Sequence, residues 1–229
     1  MDKIVLMLEL QQQLNDATNG AQWTSGVTKN GKEINWKRCI YMECAEMIDS
    51  FAWKHWKNIA AEPDWDNLKI EVVDVWHFIL SQAIEENAKV GKLSFEDLAN
   101  QSCAVSSYAG ITKQNTLYAS QKEIIEQVEL LMLDALERDG FHLSKMMEHF
   151  FTLVKMSGLD IGTLYRLYVG KNILNQFRQD HGYKDGSYIK IWNGVEDNVV
   201  MKGIWEENGD IAPEFLYEKL EAHYEILEA

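Results

Sequence analysis

A chain of 229 residues, 46% of them hydrophobic, is long enough for one substantial core, and its two prolines interrupt local structure so rarely that a mostly helical protein is expected. A formal charge of −14 repels a phosphate backbone and argues against a general nucleic-acid binder. Three cysteines without zinc-ligand spacing, no leader pattern at the start and no apolar run near the roughly 20 residues needed to cross a bilayer point to a reducing cytoplasm and no membrane contact.

In chain order, Ile4, Val5, Leu8, Leu10 and Leu14 space one helix, stopped by Asn19-Gly20. Gly26 and Asn30-Gly31 then mark a loop or small hairpin, because both residues of the Asn-Gly pair tolerate positive φ. A long helix is expected from about Lys37 to Asn58, stopped by Pro63, and a second from about Asp66 to Lys89, ended near Gly91. Further helices fit Phe95–Val105, Gln121–Arg138, Leu143–Met156 and Ile161–Arg178, with Asp139-Gly140 and Ser157-Gly158 at the joins. Residues 180–198 are rich in Gly, Asp, Asn, Tyr and Lys, and a last helix fits Pro213 to Leu227. The expected fold class is therefore all-α, a helical bundle with a Gly/Lys-rich loop near residues 180–198. It reads as one domain over residues 1–229, with a smaller mobile helical part within about 95–160 as the alternative.

The two long helices carry the chemistry. Glu43, Glu46 and Asp49 recur every third position and share a slowly drifting helical stripe. In the run Ile70 to Leu80, Glu71, Asp74 and His77 are the only charged or titratable side chains among Val, Ile, Trp and Phe, so this helix should be buried nearly all round. Carboxylates facing inward at such spacing repel one another and need a cation. Pairs on consecutive helices can converge into an all-oxygen cage suited to Mg²⁺ or Mn²⁺ rather than zinc. A di-iron bundle site would place a histidine where Asp74 stands. The plainer reading is a solvated acidic face for Glu43, Glu46 and Asp49, and salt bridges to Lys or Arg for Glu71 and Asp74; His77 is read equally as a core histidine or a substrate contact.

Glu43-x-x-Glu46 followed a helix later by Glu71-x-x-Asp74, with Leu10-Gln11-Gln12-Gln13-Leu14-Asn15 near the start, resembles the dimeric all-α dUTPases within the all-α nucleoside triphosphate pyrophosphatase superfamily. The stretch from Gly170-Lys171-Asn172 through Asn175, Arg178 and His181-Gly182-Tyr183 to Lys190 and Trp192-Asn193-Gly194 is most similar to members of epsilonproteobacterial type. The resemblance implies Mg²⁺ ions held by Glu43, Glu46, Glu71 and Asp74, hydrolysis of dUTP to dUMP with release of pyrophosphate, dUDP as a further substrate, and a homodimer. It assigns the water-activating role to one of these carboxylates, here Glu46.

Phosphate contacts fall to Lys171, Arg178, Lys184 and Lys190, a local cationic cluster in an acidic chain, with Tyr183 and Asn198 beside them. Lys171 and Arg178 lie seven apart on one helix face, which in the plainer reading is only solvated. Gly182, Gly186 and Gly194 suggest a loop that closes over phosphates, or an ordinary connector. Gln11 and Asn15, four apart on the first helix, suit the uracil edge with its one N–H between two carbonyls, against a plainer reading as two exposed amides. Trp53 or Trp56 could stack on the base or belong to the core, and the resemblance brings His77 and Asn175 to the deoxyribose. Within enzymes the rival is a dCTPase/dUTPase or a broader nucleotide pyrophosphatase, because an amide turned by 180° accepts cytosine instead. Outside enzymes it is a helical protein holding a structural cation.

Overall fold

The computed structural model describes residues 2–91, 93–208 and 212–228, and for residues 226–228 the backbone alone. Among them the chain forms ten α-helices, a short 3₁₀ turn and one two-stranded hairpin, so the fold is all-α. Contacts divide it into two compact units that meet in sequence between Tyr165 and Arg166.

The first unit contains α1 (Asp2–Asn19), α2 (Trp36–Asp49), α3 (Trp65–Val90), α4 (Phe95–Cys103), α5 (Tyr108–Ile111), α6 (Gln121–Leu136), α7 (Leu143–Met156) and the start of α8 (Ile161–Asp180). Its axis is α3. Asp64 caps the helix by accepting the Asn67 N–H at 2.9 Å, and Gly91 ends it. The expected all-round burial is found: Val72, Val75, Trp76, Ile79 and Leu80 are fully enclosed, each contributing about 1.5–3 kcal/mol. The Trp76 ring stacks on Phe150 of α7 at 4.7 Å, and its indole N–H points at Met7 Sδ of α1. Helix α2 packs on α3 and on α6, and α1 lies along α3 and α4. Lys37, at the start of α2, donates to the carbonyls of Glu137 and Gly140 just past the end of α6, so α2 and α6 run antiparallel.

One sequence expectation changes here. Helix α2 stops at Asp49, not at Asn58. Ser50 turns its carbonyl to the Asp64 N–H (2.8 Å), and Phe51 leaves the helix to pack edge-on against Trp65 at 5.7 Å, so tertiary burial outcompetes helix propensity. In the loop after α1, Val27 bridges Glu33 as in a small hairpin, but of the Asn30-Gly31 pair Gly31 alone takes positive φ, at 77°.

The second unit holds the rest of α8, strands β1 (Ile191–Trp192) and β2 (Val195–Glu196), α9 (Asp197–Asn208) and α10 (Pro213–Glu228). Asn193 and Gly194 at φ 51° and 85° form the two-residue turn that joins the antiparallel strands. The hairpin and α9 were not expected from the sequence. Gly203 weakens α9 as an isolated helix by about 1 kcal/mol relative to alanine, and tertiary packing supports it instead: a Cβ on Gly170 of α8 would come within 2.8 Å of Met201 Sδ. Leu174, Phe177, Trp192, Met201, Ile204, Leu216, Leu220 and Tyr224 form this unit's own core.

Candidate metal and nucleotide site

The spacing of three on α2 and the packing of α2 against α3 bring Glu43, Glu46 and Glu71 together, with one carboxylate oxygen of each within 4.8 Å of the others. Glu71 is buried at 8% exposure, Glu43 is half-buried and Glu46 faces solvent, so the group grades from the interior to the surface. Asp74 follows one turn later on α3, half-buried. Asp49 leaves the stripe. Its carboxylate takes hydrogen bonds from Lys54 (2.8 Å) and from the Trp53 indole (2.6 Å), which hold it below the ordinary carboxylate range, so the solvated-face reading describes Asp49.

Three carboxylates with oxygens within 4.8 Å of one another could hold a divalent cation, and their all-oxygen donors fit a hard one. Cys44, next to Glu43, offers no thiolate: burial, with the Glu43 charge adding to it, pushes its thiol far above the usual range. A second group of ligand-type side chains, Glu137, Asp139 and His142, lies at the joint of α6 and α7. There Lys145 already pairs with Glu137 and with the buried Asp134.

Gln11 and Asn15 are each 3% exposed, which rules out two solvent-facing amides. Both sit in one buried relay. The Gln11 amide nitrogen donates to Asn15 Oδ1 at 3.2 Å, the Asn15 nitrogen donates to Ser81 Oγ at 2.9 Å, and His77 Nδ1 lies 2.7 Å from Gln11 Oε1. His77 and Ser81 come from α3, so the first helix and the carboxylate helix are joined by side-chain hydrogen bonds as well as apolar packing. Sequence reasoning missed Ser81; its one signal was its place four residues after His77 on the same buried helix. Trp53 and Trp56 are not core. They are 44% and 64% exposed and meet edge-on at 5.7 Å beside the acidic stripe.

In the second unit Lys171 and Arg178 share one face of α8, as their spacing implies, but the face is buried, at 5% and 7% exposure. Arg178 grips Asp197 with two hydrogen bonds of 2.8 and 2.7 Å and donates to Asn175 Oδ1 at 3.1 Å. Asn198 Oδ1 accepts from Lys171 at 2.9 Å, and Tyr188 donates its hydroxyl to Asp197 at 2.8 Å. Burial raises the Asp197 carboxyl, but the hydrogen bonds and charge of Arg178 outweigh it and hold the group below its ordinary value. Asp197 and Tyr188 were not anticipated; the first acidic residue of an unrecognised helix gave no signal. Tyr183 is about half exposed, with its ring 5.6 Å from the Arg178 guanidinium carbon. Lys184 and Lys190 are exposed, Lys190 lying 3.7 Å from Glu196. Gly182 and Gly186 both take positive φ, as turns of this kind require.

No helix among the described residues is long and apolar enough to cross a membrane. No curated protein matches the chain. A family model described as dUTPase matches residues 3–183, which takes in the amide relay, the carboxylate group and the cations of α8; the chain belongs to the dUTPase family, enzymes that hydrolyse dUTP with the help of a divalent metal.

Proposed function

We propose that the chain hydrolyses dUTP, and dUDP as a second substrate, in a Mg²⁺-dependent reaction that Mn²⁺ also supports, releasing dUMP and, from dUTP, pyrophosphate. The observation that carries this reading is the convergence of Glu43, Glu46 and Glu71 on two packed helices, a like-charge group that a divalent ion stabilises. A bound ion supplies neutralisation of the phosphate charge and acidification of water near neutral pH. Glu43, Glu46, Glu71 and Asp74 would hold it. Glu46, the solvent-facing member, takes the proton of the attacking water, whose oxygen bonds to the α-phosphorus while the bond to the bridging oxygen breaks and pyrophosphate leaves.

Lys171 and Arg178 supply fixed positive charge to the phosphates, with Asn198 holding the lysine and Asp197 orienting the guanidinium. Tyr183, Lys184 and Lys190 add contacts from the glycine-bearing segment, Lys184, Lys190 and Asn198 lying beyond the matched residues. Gln11 and Asn15 read the base, His77 and Asn175 the deoxyribose, and the exposed Trp53 stacks on the base.

The working form is a homodimer in this reading. Leu130, Leu133 and Leu136 form an apolar stripe on α6 that is 40–60% exposed, and Met42 of α2, a helix packed on α6, is 50% exposed. The free thiols of Cys39, Cys44 and Cys103 suit a cytoplasmic setting. The decisive experiment is pyrophosphate release from dUTP, dCTP, dTTP and UTP with Mg²⁺ or with excess chelator. Cleavage confined to dUTP and abolished by the chelator is expected. Turnover that survives the chelator would sink the metal assignment, and a protein that unfolds without metal and cleaves nothing would leave the acidic group a structural ion site.

A further inference from the structure

Base recognition by an amide has a built-in ambiguity, because Asn and Gln turned by 180° exchange donor for acceptor. The amide relay removes it, starting from an atom whose role is fixed. The backbone carbonyl of His77 can only accept, and Ser81 Oγ lies 2.8 Å from it, so the single hydroxyl proton of Ser81 is directed there. Toward Asn15, 2.9 Å away, Ser81 can then only accept, and the Asn15 atom facing it is the nitrogen. Asn15 Oδ1 consequently faces Gln11 and requires its nitrogen, and Gln11 Oε1 in turn faces His77 Nδ1, which must carry the hydrogen. Every side chain in the relay is at least 97% buried, so no bulk water competes for the roles.

We propose that Ser81 is a positioning residue that sets base preference by fixing the orientation of the Asn15 and Gln11 amides and the Nδ1–H form of His77. The proposal rests on the reading that Gln11 and Asn15 contact the base. Uracil presents N3–H beside the carbonyl at C4; cytosine reverses both, with an acceptor at N3 and an amino donor at C4. A single amide satisfies one or the other according to its orientation. An orientation locked from behind by a serine on another helix rejects the reversed pattern, because accepting it requires breaking the relay in a dry interior.

The test is the competition of dCTP against dUTP in the full-length, metal-loaded enzyme, comparing wild type with Ser81→Ala and Ser81→Thr. Alanine removes the acceptor and frees the Asn15 amide, without enlarging a buried helix position. The expected result is a fall of at least about tenfold in the dUTP/dCTP ratio of kcat/KM, carried by KM values that move in opposite directions for the two nucleotides, with the ratio restored by Thr. Circular dichroism checks that the helical fold is retained. An unchanged ratio in Ser81→Ala overturns the proposal, as does an equal loss for both nucleotides, which is what a merely structural serine gives. If Gln11→Ala and Asn15→Ala also leave the ratio unchanged, the base-site reading itself fails; if they lower it and Ser81→Ala does not, that reading stands and this inference falls.

Discussion

The two units solve opposite electrostatic problems. In the first, Glu43, Glu46 and Glu71 gather like charges within 4.8 Å. In the second, Arg178 and Asp197 gather opposite charges at 2.7 Å with Tyr188 completing the carboxylate's hydrogen bonds. The first arrangement offers oxygen ligands to a divalent cation in the proposed function; the second pairs its charges within the protein. The difference teaches where to look for each kind of loss: substitution in the acidic group should remove activity with the fold retained, whereas substitution in the buried Arg178–Asp197 pair should remove stability as well as phosphate binding.

The largest effect is expected at the carboxylates. Glu71→Gln and Glu46→Gln should each lower turnover by about a thousandfold or more. Glu71→Gln should also shrink the rise in melting temperature that Mg²⁺ gives over chelator, since it removes a proposed metal ligand. Steady-state kinetics and thermal unfolding with Mg²⁺ and in chelator read the two halves separately, and wild-type turnover in either variant would remove that residue from the site. Next comes Asp197→Ala, which leaves the Arg178 guanidinium in a buried setting without its bidentate partner and should cost about 3–5 kcal/mol by urea unfolding. A loss below about 1 kcal/mol would mean that the pair is no more than a surface bridge.

A pH titration sharpens the same contrast. The folded-state pKa of Asp197 is depressed, so the stabilisation it gives is complete above the ordinary aspartate value of about 3.9 and disappears as pH falls through its lower folded value. Unfolding measured from neutral to strongly acidic pH should show that loss in the wild type, and Asp197→Asn should flatten it; identical acid profiles would refute the linkage. The smallest effect is predicted for Lys190→Ala. Its partner Glu196 is 3.7 Å away and both side chains are about half exposed, so stability should change by no more than about 0.5 kcal/mol. A larger change would show that burial is not what separates the two kinds of ion pair.

Much of the fold was legible because hydrophobic period and punctuation agree. Asp64 and Gly91 bracket α3, and its run of Val, Trp and Ile is buried as its composition requires. The end of α2 was not legible, since Phe51 and Ser50 leave the helix for partners at Trp65 and Asp64 that lie more than ten residues on. Helix α9 escaped notice because its support comes from the close approach of Gly170 to Met201, which local periodicity does not register.

At the site, residue type and spacing determined which carboxylates could share a helix face: Glu43 with Glu46, and Glu71 with Asp74. They also placed Lys171 with Arg178, and Gln11 with Asn15, on common faces. Tertiary structure alone decided what each face meets. It brought Glu71 to Glu43 and Glu46, turned Asp49 out to Lys54, gave Arg178 the carboxylate of Asp197, and set Ser81 behind Asn15. The reason is physical: helical spacing is a local property fixed by 3.6 residues per turn, whereas the partner of a buried charge or amide is whichever side chain a distant segment delivers within hydrogen-bonding reach.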